Sequence, residues 1–290
     1  MGAASGSIPV KGTRDDETLS VLAAAEHAPH HGLTMKLTGR TILITGGSAG
    51  IGLAFALEFM ARKNEVIVTG RRAALLDEVK AKHPKLHTIQ SDAADCAQIA
   101  ALAARVKSEF PRLDVLVNNA GLMQYRNLAL PGADLAGLMT EMNVNFGGVV
   151  RTTSAFIDII TANQGTVINV SSALAFVPLP CAPIYGATKA AIHSYTQSLR
   201  FQLEAAGVSV IEIMPPLVET EMTATLPAGD GVTKISTSEL VKLSFASLAA
   251  GRLEIRPGQA NTLSLMRRLA PEFINQQLWK EAKKLVPQSV

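Results

Sequence analysis

Cysteine is almost missing from this chain of 290 residues: Cys96 and Cys181 stand far apart. They match no metal-ligand spacing and fit a reducing compartment where thiols stay free, so a cytoplasmic location is expected. Long runs of one charge are also missing. Basic residues come as singles and pairs, such as Arg71-Arg72 and Lys283-Lys284, and the net charge is only +3. So mild an excess argues against a nucleic-acid surface. No basic segment followed by an apolar one stands at the N-terminus, so no secretory signal is expected. Two charge-free stretches, Thr41 to Leu57 and Ile159 to Thr188, have the length of a membrane span. The first is broken by Gly46, Gly47, Gly50 and Gly52, the second by Gly165, Pro178, Pro180 and Pro183. Breakers at that density point to separate buried elements of a water-soluble core and not to a membrane helix.

What is present is a chain 48% hydrophobic and 18% charged, enough to bury a substantial core. Residues 1–34 differ from the rest: small, polar and mixed in charge, with His27, His30 and His31. No Cys or acidic ligand is suitably spaced beside those histidines, so no metal is expected, and this stretch reads as a flexible N-terminal extension. A single domain is expected over 35–290.

From Thr41 onward the pattern alternates. Short apolar runs at Thr41–Thr45, Glu65–Thr69, Leu86–Gln90, Val115–Asn118, Thr166–Val170 and Ser209–Met214 read as buried parallel strands. Helical patterns fall between them at Gly50–Arg62, Ala73–Lys82, Ala97–Phe110, Asp134–Ala162 and Ile184–Ala206. Beyond Pro216 a helix is expected at Ser236–Ala250, a seventh strand at Arg252–Arg256, and one or two helices over Leu263–Lys284. Such alternation predicts an α/β fold: a Rossmann-type, doubly wound, mainly parallel seven-stranded sheet with helices on both faces.

Thr45-Gly46-Gly47-Ser48-Ala49-Gly50-Ile51-Gly52 follows the first strand and opens a helix. Gly46 permits a tight turn, while Gly50 and Gly52 let backbone N–H groups approach a pyrophosphate at the positive helix end. The spacing is G-x-x-x-G-x-G and not G-x-G-x-x-G, so taken alone a plain glycine turn is the alternative. The second strand ends in Thr69-Gly70-Arg71-Arg72, without the carboxylate that would hold a ribose diol. Guanidinium forks there favour a 2′-phosphate, hence NADP(H); both arginines covering a solvated helix start is the alternative. Asn118-Asn119-Ala120-Gly121 ends the fourth strand. Its small residues admit an adenosine against the backbone, and its amides can brace the neighbouring loops. Asp92 can accept from the adenine amino group, or serve as a helix cap.

Tyr185 and Lys189 are i and i+4 on one helix and share a face. A phenol titrates near ~10, too high for proton transfer at neutral pH, and a nearby ammonium is expected to lower it. Tyr185 then acts as general acid in reduction and general base in oxidation. Ser172, after the fifth strand, can hydrogen-bond the substrate oxygen, with Ser171 as the alternative.

With these motifs in order, the chain from about Met35 to Lys280 resembles the short-chain dehydrogenase/reductase family, and Gly39 to Asn119 with Ile255 to Asn261 looks like its DltE-like sub-group. The resemblance implies an oxidoreductase acting on a ketone, aldehyde or alcohol with NADP(H). It implies that Asn145 holds a water of a proton relay (a mere helix kink is the alternative) and that Lys189 also bonds the nicotinamide ribose. It further implies that Val218 and Thr220 hold the carboxamide. Pro216 stands where the family has glycine, which removes an N–H and fixes φ. A substrate wall is expected from Ala173–Leu179, Met123–Tyr125 and the segment after Thr220, and its apolar first part favours a neutral substrate. The family also implies pairing of the helices at Asp134–Ala162 and Ile184–Ala206 into a homodimer or homotetramer; Ala187, Ala190, Ala191 and Ile192 supply small and apolar residues for it. A non-catalytic nucleotide sensor, or an epimerase or dehydratase on the same scaffold, are the rival functions. The glycine spacing and the short stretch after Pro216 argue against the second.

Overall fold

The computed structural model describes residues 35–130, 134–224 and 233–286, so the expectation for residues 1–34 lies outside the described residues. Seven strands form one sheet: β1 Thr41–Ile44, β2 Glu65–Gly70, β3 His87–Gln90, β4 Leu113–Asn118, β5 Thr166–Val170, β6 Ser209–Ile213 and β7 Glu254–Ile255. Their order is β3-β2-β1-β4-β5-β6-β7, and every pairing is parallel. The expected doubly wound sheet is therefore present, fully and not just mainly parallel.

Burial follows the period of the strands. In β1, Ile42 and Ile44 pack with Phe55, Phe59, Val68 and Phe245 on one face. Leu43 between them joins Ile67, Val106, Leu116, Phe156 and Ile160 on the other. Successive side chains of a strand point to opposite faces, so a sheet covered on both sides needs apolar residues at every position. Burying each such side chain is worth about 1.5–3 kcal/mol, and two layers of them hold the sheet between its helices.

Those helices are α1 Gly50–Ala61, α2 Ala73–Lys82, α3 Cys96–Glu109, α4 Leu135–Leu138, α5 Gly148–Ala162, α6 Pro183–Glu204, α7 Thr237–Ala249, α8 Ala260–Leu269 and α9 Pro271–Ala282. Local chemistry fixes several starts: Asp95 accepts from the N–H groups of Ala97 and Gln98, and Ser236 from that of Glu239. Proline opens α6 and α9, where its missing N–H costs nothing.

Two expectations need correction. The seventh strand is only two residues long. The long helix expected over Asp134–Ala162 is instead the short α4, a π-helical turn at Met142–Gly147, and α5. A π-turn inserts one extra residue per turn and is common where a helix carries function; here it carries Asn145.

Candidate active site

The strands' carboxyl ends, where the chain order reverses between β1 and β4, open onto a cleft of about 610 Å³. That is where open parallel sheets bind ligands. The glycine loop forms one side. Gly46 has φ +65°, and a Cβ there would lie 2.8 Å from the Cα of Ala120. A Cβ on Gly52 would lie 2.4 Å from both the Gly46 carbonyl oxygen and Asn119 Nδ2. Both positions require glycine because Asn119 stitches the loops together, donating from Nδ2 to the carbonyls of Thr45 (3.0 Å) and Gly46 (3.1 Å). Thr45 Oγ1 returns the favour by accepting from the N–H groups of Asn119 and Ala120.

The residues fit a dinucleotide. The N-cap of α1 is Ala49, whose side chain cannot satisfy the first N–H groups of the helix, and Ser48, Gly50 and Ile51 line the cleft beside it. Those N–H groups form an anion site facing the cleft. Arg71, Arg72, Asp92, Asn119, Ala120, Gly121, Val218 and Thr220 line the same cleft. Arg72 also stands 3.7 Å from Glu221 across exposed surface. Asp92 does not cap α3: it accepts from the N–H of Ala94 at 2.9 Å, and Asp95 is the cap. Thr220 opens a short 3₁₀ turn, Glu221–Thr223, in which Thr220 and Thr223 cap one another.

Ser172, Tyr185 and Lys189 converge on the other end of the cleft. Ser172 and Tyr185 are hydrogen-bonded through their side chains. Ser172 Oγ also accepts from the N–H of Leu174 at 3.1 Å. Ser171 also lines the cleft, but its hydroxyl donates to Glu212 Oε1 at 2.5 Å. Of the two serines, Ser172 is the one directed at the phenol.

The electrostatics differ from the sequence expectation. Burial pushes the Tyr185 phenol up to about 12, the Ser172 hydrogen bond opposes this, and the charge of Glu141 adds to it. The ammonium does not reverse the shift because Lys189 Nζ donates to the carbonyl of Val170 at 2.9 Å and stands 5.5 Å from the centre of the Tyr185 ring. Lys189 is itself pushed down to about 8 by burial, against the pull of Glu212.

Asn145 is fully buried. Its Oδ1 accepts from the N–H of Leu122 (2.8 Å), and its Nδ2 donates to the Leu122 carbonyl (2.9 Å) and to Thr188 Oγ1 (3.1 Å). It thereby ties the loop after β4 to the helix that bears Tyr185. Glu141, also fully buried, adds a second tie by accepting from the N–H of Gln124 at 2.9 Å. Burial raises its carboxyl above the ordinary range.

Met123, Tyr125, Met222 and Thr223 line the cleft as expected for a substrate wall. Ala173–Leu179 does not: Ala173 and Val177 are buried in the protein, and none of the segment is among the residues that line the cleft. Glu141, Glu212 and His193 were missed from sequence. A lone carboxylate inside the apolar run Val208–Met214 was the visible signal for Glu212; Glu141 looks like an ordinary helix-surface residue.

Comparison with known proteins agrees with this geometry. The family model for short chain dehydrogenase matches residues 40–231. The chain belongs to the short-chain dehydrogenase family of oxidoreductases. Within it the chain is DltE-like: it is 40% identical to the uncharacterized oxidoreductase DltE of Bacillus subtilis, over 76% of this chain and 89% of that one. It is 34% identical to a serine 3-dehydrogenase of Rhizobium radiobacter, over 66% of this chain and 76% of that one. A short chain dehydrogenase from Burkholderia cenocepacia, solved in complex with NADP, superposes with a TM-score of 0.74 at 28% identity. That alignment covers 84% of this chain and 99% of the other.

Proposed function

We propose that the chain is an NADP(H)-dependent reductase of a ketone or aldehyde, running in reverse as an alcohol dehydrogenase. The observation that carries this reading is the convergence of Ser172, Tyr185 and Lys189 beside the glycine loop. When bound, the nicotinamide supplies or accepts the hydride. The α1 N-terminus, Ser48, Gly50 and Ile51 would hold its pyrophosphate, Arg71 a 2′-phosphate, Asn119–Gly121 the adenosine side, and Val218 and Thr220 the carboxamide end. The solved relative with NADP supports that choice, as does the lack of a carboxylate after β2.

Ser172 and Tyr185 orient the substrate carbonyl with two hydroxyl groups and stabilise the charge that grows on its oxygen. Tyr185, protonated at neutral pH, then gives that oxygen its proton. Lys189 supplies the positive charge that helps the phenol release it. Asn145 and Thr188 keep the loop and helix in register. The polar lining leaves the cleft mixed in character, so the carbonyl group and not an apolar body is what the site reads.

Consumption of NADPH with a panel of ketones and aldehydes tests the reading. Turnover with at least one carbonyl class is expected; inertness across the panel, with NADPH bound, would favour a nucleotide sensor. The family-type pairing of α5 and α6 is also proposed. Phe201 is 75% exposed on α6, and Ala187 and Ala190 are exposed nearer the start of the same helix, whereas Ile192 is buried inward and takes no part. Light scattering is expected to return a multiple of the 30.6 kDa chain mass.

A further inference from the structure

β6 carries one ionisable residue among the apolar Val210, Ile211 and Ile213: Glu212 has no exposed surface at all. An ionisable group in such a strand is costly unless it is paired, and replacing it with an apolar residue would often be neutral or better. Glu212 is held from two sides. Ser171, the residue before Ser172, donates to its Oε1 at 2.5 Å. His193 Nδ1 lies 2.8 Å from its Oε2. His193 is one helical turn after Lys189 on α6, so the cation of the site and the partner of Glu212 stand on one helix face.

We infer that Glu212 is a positioning residue of the reaction: clamped between Ser171 and His193, it ties the strand end that bears Ser172 to the helix that bears Tyr185 and Lys189, and its charge acts on that lysine. The inference rests on the Ser-Tyr-Lys reading above. It accounts for a carboxylate whose other partners, a serine and a histidine, could be satisfied without a charge.

Other groups act on the same cluster. His193 is raised by its bond to Glu212, against burial, with Glu254 raising it further and Arg256 lowering it. Glu254 and Arg256 pair with each other on and beside β7 at 2.7 Å, and Arg200 reaches Glu254 at 3.5 Å. The ring edge of His193 meets Phe176, which Arg256 covers from 5.1 Å. Glu141 acts on the phenol end. Glu212 is the carboxylate that acts on Lys189.

The test is an NMR titration of Lys189 in the whole cofactor-free protein carrying labelled lysine, the Lys189 signal being identified by its loss in Lys189→Met. Glu212→Gln keeps the shape and removes the charge. The Lys189 midpoint is expected to fall by about one pH unit or more, a roughly tenfold loss of proton affinity. The falling limb of kcat/KM against pH should move down by the same amount, while KM at low pH changes little. If Glu212→Gln does not fold, Glu212→Asp, which keeps the charge on a shorter arm, should move Lys189 in the same direction by less. An unmoved Lys189 midpoint in a folded variant overturns the inference. Retained turnover in Tyr185→Phe would instead overturn the Ser-Tyr-Lys reading, and the cofactor-free titration would still decide the coupling of Glu212 to Lys189.

Discussion

Lys189 reaches past the Tyr185 ring: its ammonium stands 5.5 Å from the ring centre and donates to the Val170 carbonyl at 2.9 Å. The lysine is thus anchored to the end of β5, next to the serines, and acts on the phenol through space. Because burial pushes Lys189 down to about 8, its positive charge is lost as pH rises through that value.

The rate of carbonyl reduction should therefore fall above pH about 8, and cofactor affinity should fall with it. Stability should move the other way. Between about 8 and the ordinary 10.5 the unfolded chain holds a proton that the folded chain has released, so Lys189's share of stability rises with pH. Rate profiles and urea melts from pH 7 to 10 check both signs. A rate that stays flat to pH 10 would show that the charge of Lys189 is not needed.

Arg71 and Arg72 should not be equivalent. Both line the cleft, but Arg72 stands near Glu221, whereas Arg71 has its carbonyl held by Gln90 Nε2 at 3.0 Å. Arg71→Ala should weaken NADPH binding about tenfold or more and leave NADH nearly unchanged; Arg72→Ala should do less. Paired titrations at fixed ionic strength decide, since salt screens exposed charge. Equal loss for both cofactors would mean that Arg71 shapes the loop and does not read the phosphate.

Asn145→Ala removes three hydrogen bonds and leaves the N–H and carbonyl of Leu122 without their side-chain partner. At about 0.5–1.5 kcal/mol each, the loss is about 1.5–4.5 kcal/mol, visible in denaturant unfolding. Turnover should drop as well, because the loop carrying Met123 and Tyr125 is released. A variant as stable as the parent would mean that the π-turn is held by other contacts.

The sheet was legible because its pattern is local: β1 and β4 are apolar through Ile42–Ile44 and Val115–Val117, and glycine or proline marks the breaks. The glycine loop and the Ser172–Tyr185–Lys189 spacing were legible because the chemistry needs those residues at those intervals. The split of the helix at Asn145 was not, since the partner of Asn145 in that turn is Leu122, far away in sequence. The sign of the Tyr185 shift was missed for a related reason. A lysine four residues away promises a lowered phenol, but burial outweighs it once the ammonium is tethered to Val170. The apolar run Ala173–Leu179 looked like a substrate wall, yet Ala173 and Val177 are spent on the core.

The central claim is that the Tyr185 hydroxyl carries the proton, and Tyr185→Phe tests it most directly. Phenylalanine keeps the ring and removes only the hydroxyl that meets Ser172. With a carbonyl substrate found by screening, turnover in Tyr185→Phe should fall by about 10²–10⁴-fold, the usual worth of a positioned acid. NADPH affinity, measured by titration, should stay within about threefold, because none of the groups assigned to the phosphates is touched. Turnover within about tenfold of the parent would contradict the account.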